Sequence, residues 1–297
     1  MILRKTTVII LLILIIQSCN RQPIADSKWK TIGTGFSFPE GPAWDCKGNL
    51  YVSNCTGGWI AKISDGQIDT LLTASDSTFS KTNGLFVSKD DDIFACDYGI
   101  GAILKISPGG DIQTFLSGYE GQAFNRPNDL IVLENGDIYF TDPKSYGREK
   151  TDGRVFYFNS EVDSLYLAAD SLAFPNGIGI SPADKKLYVN ESAKSRILRF
   201  EITDNGLLSS KEVFMELPGG DPDGIDFDIK GNLYTAHFGS GTLFVISSEG
   251  EILQKIKTPG KKPSNIEFGG PDLKTLYLTE DETNSVYKIR VKYPGSK

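Results

Sequence analysis

Hydrophobic positions along the chain fall into short runs separated by polar turns, and the runs repeat. Six segments read apolar, aromatic, apolar and then polar or small: Leu50-Tyr51-Val52, Ile93-Phe94-Ala95, Ile138-Tyr139-Phe140, Leu187-Tyr188-Val189, Leu233-Tyr234-Thr235 and Leu276-Tyr277-Leu278. Their first residues lie 43, 45, 49, 46 and 43 positions apart. Most follow a turn signal, such as Lys47-Gly48-Asn49, Asn135-Gly136-Asp137 or Lys230-Gly231-Asn232. Each is followed by another β-rich run, at 59–63, 102–106, 154–158, 196–200, 242–246 and 285–289, and in most repeats by a further one, as at 67–72, 111–116 and 251–256. Short turn-bounded strands with a period near 45 predict an all-β chain, a six-bladed β-propeller with four antiparallel strands per blade. No helical period competes. The last repeat carries only three runs, so residues 29–32 are expected to add its outer strand, closing the ring and removing an open edge.

The N-terminus reads as an address. Arg4 and Lys5 precede an apolar run at 8–16, which falls well short of the ~20 residues that span a bilayer as a helix. Ile16-Gln17-Ser18-Cys19 resembles the bacterial lipoprotein signal, in which the cysteine is lipidated and becomes the new N-terminus. The expected organisation is a signal peptide over 1–18, a lipidated tether over 19–27 beginning at Cys19, and one domain over 28–297. An ordinary secretory signal cleaved nearby is the alternative. Either way the chain is exported. The first reading places it on the periplasmic side of a bacterial membrane, as a monomer touching the membrane through its lipid anchor only.

Charge and composition narrow the chemistry. The 31 basic and 38 acidic residues give −7, and removing Arg4 and Lys5 leaves 29 against 38, or −9. Without a basic surplus to displace counterions, nucleic acid is not a partner. One histidine in 297 residues excludes a multi-histidine zinc centre. After Cys19, the cysteines at 46, 55 and 96 are odd in number and fit no metal or redox spacing, so they read as buried or semi-buried thiols.

The polar chemistry gathers where each innermost strand opens. The openings are Phe38-Pro39-Glu40-Gly41, Lys81-Thr82-Asn83-Gly84, Arg126-Pro127-Asn128-Asp129, Phe174-Pro175-Asn176-Gly177, Asp221-Pro222-Asp223-Gly224 and Lys262-Pro263-Ser264-Asn265. In register, Glu40, Asn83, Asn128, Asn176, Asp223 and Ser264 point into the central channel, and all are oxygen donors. In one blade such a residue needs no more than turn geometry to explain it. Six converging on one axis, two of them carboxylates, call for a hard cation, because buried charge without a partner is costly. Oxygen-only ligation with amide carbonyls suits Ca²⁺ better than Mg²⁺ or Zn²⁺. A second ring ends the second strands: Asn54, Asp97, Asp142, Glu191, His237 and Glu280. Asn54 and Glu280 read as solvated rim. His237 is open between a structural role and substrate contact or proton transfer.

Phe-Pro-Glu-Gly-Pro-Ala-Trp at 38–44, Arg-Pro-Asn-Asp-Leu at 126–130, Pro-Asn-Gly-Ile at 175–178 and Pro-Asp-Gly-Ile at 222–225, in this order, resemble the gluconolactonase family, which includes regucalcin and, more distantly, diisopropyl fluorophosphatase. The resemblance implies a propeller with a divalent cation in its channel, usually Ca²⁺, that hydrolyses lactones or related esters. It implies Glu40, Asn176 and Asp223 as core metal ligands, Asn128 as a fourth ligand or a substrate contact, and Arg126 as the substrate-binding arginine. Asn83 and His237 are the other candidates for substrate contact. Asp223 is the first candidate to activate water or attack; Asp142, Asp129 and His237 are weaker candidates for proton transfer. The last blade departs from the pattern with Ser264-Asn265, and residues 143–152 are a polar insertion. The expected substrate is a small lactone or sugar-derived molecule, with Zn²⁺ or Mn²⁺ as alternative ions. Two other readings stay open: phosphotriester hydrolysis on the same ligands, and a non-catalytic binding propeller with a structural metal.

Overall fold

The computed structural model describes residues 23–25, 28–45, 47–74 and 78–296. The signal segment, Cys19 and Cys46 lie outside the described residues. Twenty-four strands form six four-stranded antiparallel sheets, the blades of a propeller. The strands nearest the axis, in blades 1 to 6, are Pro39–Trp44, Thr82–Val87, Leu130–Val132, Pro175–Ile180, Asp221–Phe227 and Pro263–Gly269. The only helical element among the described residues is a single 3₁₀ turn, Ser192–Lys194.

The ring closes as the repeat count requires. Lys30–Thr34 pairs antiparallel with Ser285–Arg290 as the outer strand of blade 6. The expected strand at 29–32 is therefore displaced by one or two residues. Trp29 sits just ahead of it, and its indole Nε1 donates to the Lys257 carbonyl of blade 5 at 3.0 Å. The packed chain also begins earlier than residue 28: Ile24 is buried and bridges Val291, and the Pro23 carbonyl accepts the Lys292 N–H.

Burial explains the repeat. A second strand is covered on both faces by neighbouring blades, so Leu50–Asn54, Ile93–Asp97, Ile138–Asp142 and Leu187–Glu191 are buried at every position. That is why these strands read as continuous apolar-aromatic runs rather than alternating ones. Outer strands such as Gln67–Thr73 are largely exposed. One hydrophobic cluster fills each gap between adjacent blades; Phe94, Phe124, Phe140 and Phe156 lie in the one between blades 2 and 3. Each such side chain contributes about 1.5–3 kcal/mol through burial.

The second polar ring braces the loops of the mouth, and the burial of Asn54 and Glu280 corrects the expectation that these two form a solvated rim. Asn54, Asp97, Asp142, Glu191, His237 and Glu280 are all buried. Each ties down the loop that leads into the first strand of its own blade. Asn54 Oδ1 accepts the Ser37 N–H, the Asp97 carboxylate those of Ser80 and Lys81, and Asp142 those of Asn125 and Arg126. Glu191 accepts from Ala173 and Glu280 from Lys262. His237 does the same work with reversed polarity. Its Nε2 lies 2.8 Å from the Leu217 carbonyl, so Nε2 carries the proton, and Nδ1 lies 2.7 Å from the Ser240 hydroxyl. Asp142 also holds the Arg154 guanidinium at 2.7 Å, so its oxygens are committed to the loop and to the strand beside it. Cys55 and Cys96 are free and buried, as expected, and burial pushes both thiols well up.

Candidate active site in the central channel

At the mouth of the channel the first strand departs from ladder pairing in five blades, blade 3 being the exception. Register shifts fall between Glu40 and Ala43, Thr82 and Leu85, Pro175 and Ile178, Pro222 and Ile225, and Pro263 and Ile266. Such a bulge turns a side chain out of the pleat, here toward the axis. The glycine that follows four of these stations allows neighbouring strands to approach. A Cβ at Gly41 would strike the Asn83 carbonyl, at Gly84 Asn128 and Asp129, at Gly177 the Asp223 carbonyl, and at Gly224 Asn265. The Pro-x-Gly pattern is thus the signature of strands packed backbone to side chain around an axis.

Glu40, Asn83, Asn128, Asn176 and Asp223 all line one cavity of about 320 Å³, so the structure brings these five predicted residues together. Ser264 is the exception. Its hydroxyl donates to the Pro39 carbonyl at 2.8 Å and lies 2.9 Å from Thr279 Oγ1, tying blade 6 to blade 1 instead of facing the channel. Blades 3 and 6 carry Asp129 and Asn265 where the other four carry glycine. These blades stand opposite each other, and their side chains meet, with Asn265 Nδ2 3.5 Å from Asp129 Oδ2. They fill the space left open by the four glycines. Sequence reasoning missed this pair; its signal was the missing glycine at two stations three blades apart.

The donor set is short of protons. Asn83 Oδ1, Asn128 Oδ1 and Asp223 Oδ1 are buried without a hydrogen-bond partner. Burial pushes Asp223 well above the ordinary carboxylate range, with Glu40, Asp129 and Asp221 adding like charge. Burial likewise holds Glu40 at about 8, although the Gly41 N–H donates to its Oε2 at 3.0 Å. Asp129 stands at about 7 for the same reason, moderated by the Leu130 N–H and Asn265. A raised Glu40 and a raised Asp223, the latter pushed further by Glu40, beside orphaned amide oxygens fit a hard dication. Among the described residues no three His, Cys, Asp or Glu side chains are grouped to hold a metal, so any ion here must draw on the amides. Glu40, Asn128, Asn176 and Asp223 are the residues that could hold it.

Arg126 lines the outer part of the cavity, its guanidinium over the rings of Tyr98 and Phe174 at 6.0 and 5.9 Å. Phe38 and Phe174 also line it, and both sit at positive φ, 61° and 56°. A bulky residue held in the left-handed region is strained, and such strain gathers where a site fixes side-chain direction. Tyr98, Tyr146 and Asp221 also line it and were not read from sequence. His237 does not line the cavity; its ring nitrogens are engaged by the Leu217 carbonyl and the Ser240 hydroxyl.

Similarity to known proteins agrees with this geometry. A gluconolactonase of Zymomonas mobilis is 30% identical over 300 residues, spanning 90% of this chain and 82% of the relative. A diisopropyl-fluorophosphatase of Loligo vulgaris is 24% identical, spanning 93% of this chain and 96% of its own. The solved structure of a gluconolactonase from Xanthomonas campestris superposes with a TM-score of 0.81 at 29% identity, covering 92% of this chain and 93% of that one. Residues 38–281 match the profile described as the SMP-30/Gluconolactonase/LRE-like region. That span holds all five converging oxygen donors, and on its evidence the chain belongs to the SMP-30/gluconolactonase/LRE-like family.

Proposed function

We propose that the chain is a divalent-metal-dependent lactone hydrolase, with Ca²⁺ the favoured ion. The observation that carries this reading is the trio of buried, partnerless oxygens on Asn83, Asn128 and Asp223 beside the raised carboxyl of Glu40. The names of the gluconolactonase relatives support the substrate class. Glu40, Asn128, Asn176 and Asp223 would hold the ion. Their two formal charges match a dication, while the amides add none. When bound, the ion supplies Lewis-acid polarisation of the lactone carbonyl.

The chain's own residues do the rest. Asp223, which burial raises above the ordinary carboxylate range, accepts the proton of the attacking water. The water oxygen joins the acyl carbon, the ring C–O bond breaks, and the ring oxygen takes the proton, giving a hydroxy acid. Arg126 binds hydroxyls or a carboxylate of the substrate at the mouth. The rings of Phe38, Tyr98 and Phe174 exclude water from the bond being cut. Calorimetric titration of chelated protein with Ca²⁺, alongside hydrolysis of a lactone panel, tests the reading; absence of divalent binding overturns it.

A second reading, phosphotriester hydrolysis on the same ligands, is favoured by the similarity to diisopropyl-fluorophosphatase along nearly the whole chain. Parallel assays with a fluorophosphate separate the two. We also propose export as a lipoprotein through Cys19, for which the motif at 16–19 is the support; incorporation of labelled fatty acid that is lost in Cys19→Ala tests it.

A further inference from the structure

The insertion at 143–152 has a shape that its polar sequence does not foretell. The other five blades connect second to third strand over three or four residues, whereas blade 3 uses ten. The loop is braced from within: Asp152 Oδ1 accepts the Ser145 N–H at 3.0 Å and the Gly147 carbonyl accepts the Lys150 N–H at 2.9 Å. From it Tyr146 reaches over the cavity. Its hydroxyl donates to Asp221 Oδ2 of blade 5 at 2.8 Å, and its ring meets Phe174, at the opening of blade 4, edge-on at 5.3 Å. One side chain thus links three blades across the channel mouth. Tyr146 is nevertheless 59% exposed, the highest exposure among the large hydrophobics of the described residues. The exposed ring also belongs to the lining of the cavity, so it stands at the mouth between the site and solvent.

We propose that Tyr146, latched to Asp221, is a specificity-determining roof that admits compact, ring-sized lactones and excludes those with long alkyl substituents. The inference rests on the lactonase reading. The cavity beneath is about 320 Å³, at the lower end of the roughly 300–1,000 Å³ range of small-molecule sites. A long substituent must leave through the mouth, and Tyr146 closes its blade 3 to blade 5 side. The latch also grips the strand Asp221–Phe227, which carries Asp223, so roof and reacting groups are held in one register.

The test compares wild type, Tyr146→Phe and Tyr146→Ala on gluconolactone and a long-chain γ-lactone. Tyr146→Ala should lower the ratio of kcat/KM values, compact over long-chain, by about tenfold or more, the scale on which a pocket discriminates apolar groups. The gain on the long-chain lactone should fall in KM rather than kcat. Tyr146→Phe, which keeps the ring and loses only the latch, should lie between. An unchanged ratio in Tyr146→Ala overturns the proposal. Tryptic cleavage after Arg148 or Lys150 reads the latch without any substrate, and Tyr146→Phe should be cut faster than wild type; equal rates overturn the latch. If wild type hydrolyses neither lactone while Tyr146→Phe is cut faster, the lactonase reading fails and the latch stands.

Discussion

Stripping divalent ions with a chelator and raising the pH from about 5 to about 9 should make the protein progressively easier to unfold. The ordinary value for Glu40 is 4.5, and burial holds it at about 8 in the folded chain. Between those values the folded chain keeps a proton that the unfolded chain has released. Stability from this group is full below about 4.5 and is lost as pH rises through about 8. Each tenfold change in proton affinity is worth about 1.4 kcal/mol, so the loss from Glu40 alone is on the order of 5 kcal/mol. Asp129, moved from 3.8 to about 7, acts in the same direction. Against a typical total of about 5–15 kcal/mol this is a large fraction. At roughly 2–4 °C per kcal/mol for a chain of this size, the melting temperature should fall by roughly 10–20 °C. Thermal unfolding in chelator at half-unit pH steps, repeated in excess Ca²⁺ and with Glu40→Gln, is the assay. Ca²⁺ should abolish the slope, because binding to the ionised carboxylates offsets their cost, and Glu40→Gln should flatten it. A chelated wild type whose melting temperature is level or rises over this range would refute the reasoning: its channel carboxylates would be charged and compensated with no cation.

Three further outcomes follow from the same geometry. Asp223→Asn should weaken Ca²⁺ binding in calorimetry by about tenfold or more, as one charged ligand is lost. His237→Gln should leave the pH–rate profile unaltered, because the imidazole is buried, kept neutral and engaged by Leu217 and Ser240; it should cost about 1–3 kcal/mol in denaturant unfolding. Gly224→Ala should weaken Ca²⁺ binding more than an alanine at exposed Gly239, because only the former presses a Cβ onto Asn265.

The repeat was legible because every blade buries its second strand in the same way, so one constraint printed the same apolar-aromatic triplet six times. Four of the five converging oxygens were legible because the bulge and the close-packing glycine fix their surroundings; Asn128, followed by Asp129, was placed by the repeat alone. Ser264 was misread because register alone assigned its direction; the hydrogen bond to Pro39 across the ring closure, a contact 225 residues apart in sequence, turns it away. Asn54 and Glu280 of the second ring were misread as rim because a strand end looks solvated in one dimension, while in the fold each side chain accepts from the loop that returns beside it. Tyr146 carried no pattern of its own: what matters about it is Asp221, 75 residues on. Local spacing reveals what repeats, and it is silent on single long-range contacts.

The central claim is that lactone hydrolysis takes place in this channel and depends on a divalent ion held by its oxygens. Turnover of a panel of sugar and aliphatic lactones, measured in chelator, after return of Ca²⁺, and in Asp223→Asn, tests it most directly. The account predicts turnover that stops in chelator, returns with Ca²⁺ and is absent from a folded Asp223→Asn protein. Undiminished turnover in chelator, or in Asp223→Asn, would contradict it.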